Sequence, residues 1–104
     1  MKGLLKMGYA IGLIEMQALV AAIETLDVML KTADVEFVAV ERKLGGRLVT
    51  IVIRGSVSAV TAAIDAGCAA AERMGHLKAH EVIARPHPEI LKFLHLSDEE
   101  NDAE

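Results

Sequence analysis

Four histidines, one cysteine, a glutamate in an apolar segment and a basic glycine turn are the groups in this chain with chemistry to offer. His76 and His80 stand four apart, a spacing that aligns two imidazoles on a continuous helix and so suits a shared metal ion. Gly75, however, sits where a helix would end, so the pair need not share a face. His87 lies in a proline-bounded corner and His95 near the acidic end of the chain. No cysteine or carboxylate completes a ligand set at a recognisable spacing. The histidines read as solvated or interface residues, and no metal ion or cofactor is expected. Cys68 lies mid-helix among alanines, with no histidine or basic residue three or four positions away to lower its pKa. It reads as a small core residue, not a nucleophile.

Glu15 ends an apolar segment and has the chemistry of an acid or base. The sequence places no second carboxylate beside it, so it reads as a strand-end carboxylate bonded to nearby backbone. Gly45-Gly46 resembles a phosphate cradle only superficially: there is no GxGxxG or GxxxxGK[ST], and no helix follows the turn. Lys43 and Arg47 bracket that turn and, taken alone, read as solvated hairpin charges. Lys31 closes a helical segment, where a cation complements the helix dipole, and Arg85 opens the proline corner. No catalytic residue is assigned.

These groups are held by elements organised around residues 35–55, VEFVAVERKLGGRLVTIVIRG. Two segments rich in Val, Ile, Phe and Thr, Val35 to Glu41 and Leu48 to Arg54, flank the glycine turn and predict a hairpin with a basic tip. Ahead of it, Tyr9 to Glu15 reads as a short buried strand in which Gly12 marks the close approach of a neighbouring backbone. Between Gln17 and Ala33 the spacing of Leu19, Ile23, Leu26, Leu30 and Ala33 predicts a helix with one apolar stripe. Asp27 and Lys31 pair on its other face. After Gly55, Ser56 or Ser58 caps a second helix whose stripe is Val57, Val60, Ile64, Gly67, Ala71 and Met74, and which Gly75 ends. Its opposite face carries Ala59, Ala62, Ala66, Ala69 and Ala70. Lys78 to Ala84 predicts a fourth strand. Arg85-Pro86-His87-Pro88 makes a rigid corner before a short helix, Glu89 to Leu94.

The order strand, helix, strand, strand, helix, strand, short helix gives the expected class: α+β, a ferredoxin-like βαββαβ sandwich with an antiparallel sheet covered on one face. The expected organisation is an N-terminal extension at 1–8, one domain at 9–95 and an acidic disordered tail at 96–104. A chain of 104 residues forms one domain. At 53% hydrophobic but 3% aromatic, its core must be built from small aliphatic residues, leaving apolar surface to bury between subunits. A net charge of -4 with no basic stripe argues against nucleic-acid binding. No run of 18 uncharged apolar residues exists, which argues against a membrane span. One cysteine permits no internal disulfide and fits a reducing cytosol. The Met1-Lys2-Gly3-Leu4-Leu5-Lys6 start is signal-like, but Lys6 and Glu15 break its apolar run.

The segments AIGLIEM (10–16), AAIETLDVMLKTADVEFV (21–38), KLGGRLVTIVIRG (43–55), SAVTAAIDAGCAAAERMG (58–75) and VIARPHPEI (82–90) occur in order. Together they resemble the single-domain, hexamer-forming shell proteins of bacterial microcompartments, the family of carboxysomes and of propanediol- and ethanolamine-utilising organelles. The resemblance covers residues 9–94. It implies a BMC-domain fold, no enzymatic activity, and a flat cyclic hexamer tiling with itself and other shell proteins around encapsulated enzymes. It implies a pore for small polar or anionic metabolites on the six-fold axis, lined by Lys43, Leu44, Gly45, Gly46 and Arg47. The family usually carries Lys-Ile-Gly-Ser-Gly there; Gly46 replaces Ser, Arg47 replaces the last Gly, and one extra residue stands near Arg42. The resemblance further implies hexamer-to-hexamer edges built from Lys31, Asp34 (Asn in the family), Arg85 and His87. The competing reading is an oligomeric ferredoxin-like domain that binds a regulatory metabolite between subunits.

Overall fold

Side chains alternate across a strand, so each Val- and Ile-rich segment of this chain feeds two separate cores. The computed structural model describes residues 9–94; the predicted extension and acidic tail lie outside the described residues. Strand β1 (Ala10–Met16) leads to helix α1 (Leu19–Thr32). Then come β2 (Glu36–Lys43), a tight turn at Leu44–Gly46, β3 (Leu48–Gly55), α2 (Val57–Arg73), β4 (Leu77–Ile83) and the short α3 (Pro88–Phe93). The sheet order is β2-β3-β1-β4 with every pair antiparallel, which is the expected ferredoxin-like topology.

On one face Ala10, Ile14 and Met16 of β1 join Val49, Ile51 and Ile53 of β3 beneath α1 and α2. Full burial of each large aliphatic side chain contributes roughly 1.5–3 kcal/mol. The sheet is not covered on one face alone, as expected from the order of elements. Ile11 and Val52 form a second, smaller cluster on the other face, packed by Tyr9, Leu13, Leu91 and Leu94, so α3 and the residue after it lie opposite the two long helices. At the edge of this second face Arg54 is nearly buried. Its Nε donates to Glu36 Oε1 at 2.8 Å, and its guanidinium lies 5.7 Å from the centroid of the Tyr9 ring.

The capping expectations hold for α2 and α3. Ser56 Oγ accepts from the Ala59 N–H at 3.1 Å, and Ser58 is the helix's second residue. Gly75 takes φ +75°. Its N–H donates to Glu72 O and that of His76 to Ala71 O, the paired bonds of a left-handed helix end. Pro88 opens α3 as its first residue, and His87 Nδ1 accepts from the Glu89 N–H.

The α1 stripe differs from expectation. The buried residues of α1 are Ala21, Ala22, Thr25 and Met29, whereas Ile23 is 58% and Leu30 42% exposed. The reason is the approach of α2. A Cβ placed at Gly67 would lie 2.8 Å from Cγ and Sδ of Met29 and 3.3 Å from Cγ2 of Thr25, so the helices cross at a point where α1 presents Thr25 and Met29. That rotation turns Ile23 and Leu30 outward. Gly12 also marks a close approach, but the neighbours are the Val60 and Ile64 side chains of α2, not a backbone.

Candidate functional site

The turn between β2 and β3 is short because both strands pair up to its base, Lys43 opposite Leu48. The strand therefore runs two residues beyond the predicted Glu41. Positive φ falls on Leu44 (+55°) and Gly45 (+67°), one residue earlier than the expected Gly45-Gly46 pair. A hairpin needs left-handed residues here to match strand twist. Gly45 takes that conformation freely, and Leu44 at a cost of roughly 1–2 kcal/mol. Two donors converge on the Leu44 carbonyl in compensation: the Arg47 backbone N–H at 3.3 Å and Arg47 Nε at 3.0 Å. The tip thus presents exposed Lys43, a 64% exposed Leu44, and an Arg47 guanidinium held against the turn's own backbone.

The second group of candidate residues lies at the other end of the sheet. In register, Glu36 of β2, Gly55 of β3, Ala10 of β1 and Ile83 of β4 share one end, while Lys43, Leu48, Met16 and Leu77 share the tip end. Asp34 precedes β2, and its carbonyl would lie 3.2 Å from a Cβ at Gly55. Lys31 stands in the last turn of α1, three residues before Asp34. Arg85 and His87 follow the end of β4. All four are exposed. The eight residues of β2 separate the two groups by about 24 Å. Lys31 Nζ lies 2.8 Å from Asp27 Oδ2, and that hydrogen bond and charge hold its pKa above the usual lysine value. His87 doubles as the cap of α3.

The remaining candidates stay apart. Glu15 pairs with Thr50 on one side and Ala79 on the other. His76 lies in the link between α2 and β4, whereas His80 is on the exposed edge strand. Among the described residues no three His, Cys, Asp or Glu side chains gather as a metal site. Burial, and then the charges of Asp65 and Glu72, push the Cys68 thiol above its ordinary pKa. Native protein at neutral pH is expected to react with an aromatic disulfide reagent at least about tenfold more slowly than urea-unfolded protein, since only the thiolate attacks. Equal rates would show that the thiol is as accessible, and ionises as readily, as in the unfolded chain.

Sequence reasoning missed Arg54, whose burial beside Glu36 depends on the long-range register of β2 with β3, and the left-handed Leu44. The alternation of β3 does place Arg54 on the same face as Val52, a signal available without coordinates.

The BMC domain model matches residues 10–86. Bacterial microcompartment shell protein PduA of Citrobacter freundii is 51% identical over 85 residues, covering 82% of this chain and 90% of that protein. Shell protein EutM of Escherichia coli (strain K12) is 49% identical over 81 residues, covering 78% and 82%. Carboxysome shell protein CsoS1C of Hydrogenovibrio crunogenus is 46% identical over 96 residues, covering 91% and 93%. A crystal structure of a microcompartment protein from Desulfitobacterium hafniense superposes with a TM-score of 0.73 at 27% identity. It covers 86% of this chain, which spans 48% of that one. By sequence and by fold, the chain belongs to the BMC domain family.

Proposed function

We propose that this chain is a structural, non-enzymatic shell protein of a bacterial microcompartment, in which six copies form a flat ring and rings tile into facets. The names of its relatives support the shell role. The placement of the candidate residues supports the ring: the basic turn and the group around Lys31 and Arg85 sit at opposite ends of one sheet, about 24 Å apart. A wedge with its tip on a symmetry axis and its broad end on a rim has this form. Lys43, Leu44, Gly45, Gly46 and Arg47 then surround the axis. Lys31, Asp34, Arg85 and His87 meet their counterparts on an adjoining ring across a two-fold. The opening passes small polar or anionic metabolites, selected by its radius, by backbone donors and by a six-fold repeat of positive charge.

Light scattering after size exclusion tests the ring. A species of about 67 kDa, six times the 11.1 kDa chain, is expected. A stable monomer, dimer or trimer would sink the reading. Lys31→Ala and Arg85→Ala are expected to leave that mass unchanged and to weaken or abolish flat sheets in electron micrographs of concentrated protein, because both residues stand at the end of the sheet about 24 Å from the turn proposed to surround the axis. Normal sheets from both variants would remove these residues from the rim.

A further inference from the structure

The turn between β2 and β3 is held in a shape that its sequence does not require. Gly45-Gly46 offer two positions that become left-handed at no steric cost. The backbone nevertheless puts Leu44 in that region, at φ +55°, beside Gly45 at +67°. A left-handed leucine persists only where its surroundings hold it there. Packing does not hold this one, since Leu44 is 64% exposed and belongs to neither core cluster. The restraint is polar: the Leu44 carbonyl accepts from the Arg47 backbone N–H at 3.3 Å and from Arg47 Nε at 3.0 Å.

The side-chain part of this restraint is open to competition. Arg47 is exposed, and among the described residues no carboxylate pairs with it. A guanidinium grips a carboxylate or phosphate through two parallel N–H donors. Its side edge consists of Nε–H and one Nη–H. While Nε donates to Leu44, that edge is closed, and the carbonyl oxygen occupies the place of an anion's own oxygen. An oxyanion that takes the side edge must displace the carbonyl. Leu44 then loses the donor that offset its conformation. The extended region that leucine favours becomes accessible to it, with Gly45-Gly46 carrying the reversal of the chain. A ligand moves such an equilibrium only by binding one state better, and here the difference is an edge closed in one state and open in the other.

We infer that Arg47 is a latch released by anions: a carboxylate or phosphate group bound side-on by its guanidinium frees the Leu44 carbonyl and lets Leu44 leave the left-handed conformation. The latch itself belongs to the single chain, and only its consequence rests on the ring proposed above. Around the axis of that ring, release re-aims six apolar Leu44 side chains at once. An arriving anion thereby alters the opening it is about to cross.

Nuclear magnetic resonance of the full-length protein tests this through the Leu44 Cα shift, which separates left-handed from extended backbone. In chloride alone Leu44 is expected to be left-handed. Inorganic phosphate and succinate, titrated separately at constant ionic strength, are each expected to move the ratio of extended to left-handed Leu44 at least about tenfold toward extended. The tighter of the two names the preferred oxyanion. Arg47→Lys keeps the charge but has no Nε, and is expected to show an extended Leu44 with neither anion added. A Leu44 signal unmoved by both anions overturns the latch, and so does a left-handed Leu44 in Arg47→Lys. An equal response to added chloride overturns the two-donor grip. A chain that forms no ring gives the same signals, so failure of the ring and failure of the latch are told apart.

Discussion

Gly12→Ala is expected to lower the thermal unfolding midpoint by about 10 °C, as a net loss of about 1.5–2 kcal/mol implies for a domain of this size. The methyl group would sit 2.8 Å from Cγ1 of Val60 and 2.8 Å from Cγ1 of Ile64, inside van der Waals contact with both. Neither neighbour has room to withdraw, being 0% and 1% exposed, and the branched Val60 is confined to one preferred rotamer in a helix. α2 must rise from the sheet at its point of closest packing, and overpacking of this kind costs about 1–3 kcal/mol. The lower entropy of the unfolded Ala chain offsets part of that, about 0.4–1 kcal/mol. Differential scanning calorimetry at matched protein concentration reads the result, and a midpoint within about 2 °C of wild type would show that the contact relaxes freely.

The second large effect concerns the turn. Arg47→Glu converts a six-fold ring of positive charges into six negative ones around the proposed axis. The expected outcome is a fall of at least about tenfold in the permeability of assembled shells to a dianionic metabolite, within the range by which focused fields change local ion concentration. Arg47→Lys separates the two roles of this side chain. It retains the charge but lacks the Nε that reaches the Leu44 carbonyl at 3.0 Å, so it is expected to keep anion permeability near wild type. Unchanged permeability in Arg47→Glu shells would place this charge away from the path. A loss in Arg47→Lys equal to that in Arg47→Glu would assign the effect to the turn's shape.

The element order, the antiparallel sheet and the helix caps were legible in the sequence because each rests on local rules. Ser56, Gly75 and Pro88 act through their own backbone neighbours, which a linear reading sees. The stripe of α1 was misread for a corresponding reason. Spacing identified large apolar residues, but burial was decided by where α2 crosses, and the crossing selects small Ala22 and Thr25 together with Met29 over Ile23 and Leu30. A single sequence also cannot divide apolar surface between an internal core and a subunit contact; Ile23 and Val40 satisfy the pattern for either. For the candidate site, Lys43 to Arg47 stay together simply because they are consecutive. What composition and spacing could not supply is the 24 Å, roughly, between that turn and Asp34, which emerges from the strand register. Nor could they supply the left-handed Leu44, since the glycine pair beside it was the natural place to put positive φ.

The second face of the sheet has a consequence for how such tiles are built upon. Tyr9, which precedes β1, and Leu94, which follows α3, pack against the same Ile11–Val52 cluster. The two ends of the described residues, 9 and 94, therefore pack on the same side of the sheet. Copies related by rotation about a single axis all keep that side in common, so the ring proposed above would have two unlike surfaces, one carrying α3 and the Ile11–Val52 cluster and the other the two long helices. A wall laid with its pieces the same way up would then differ chemically between its two surfaces without any lipid.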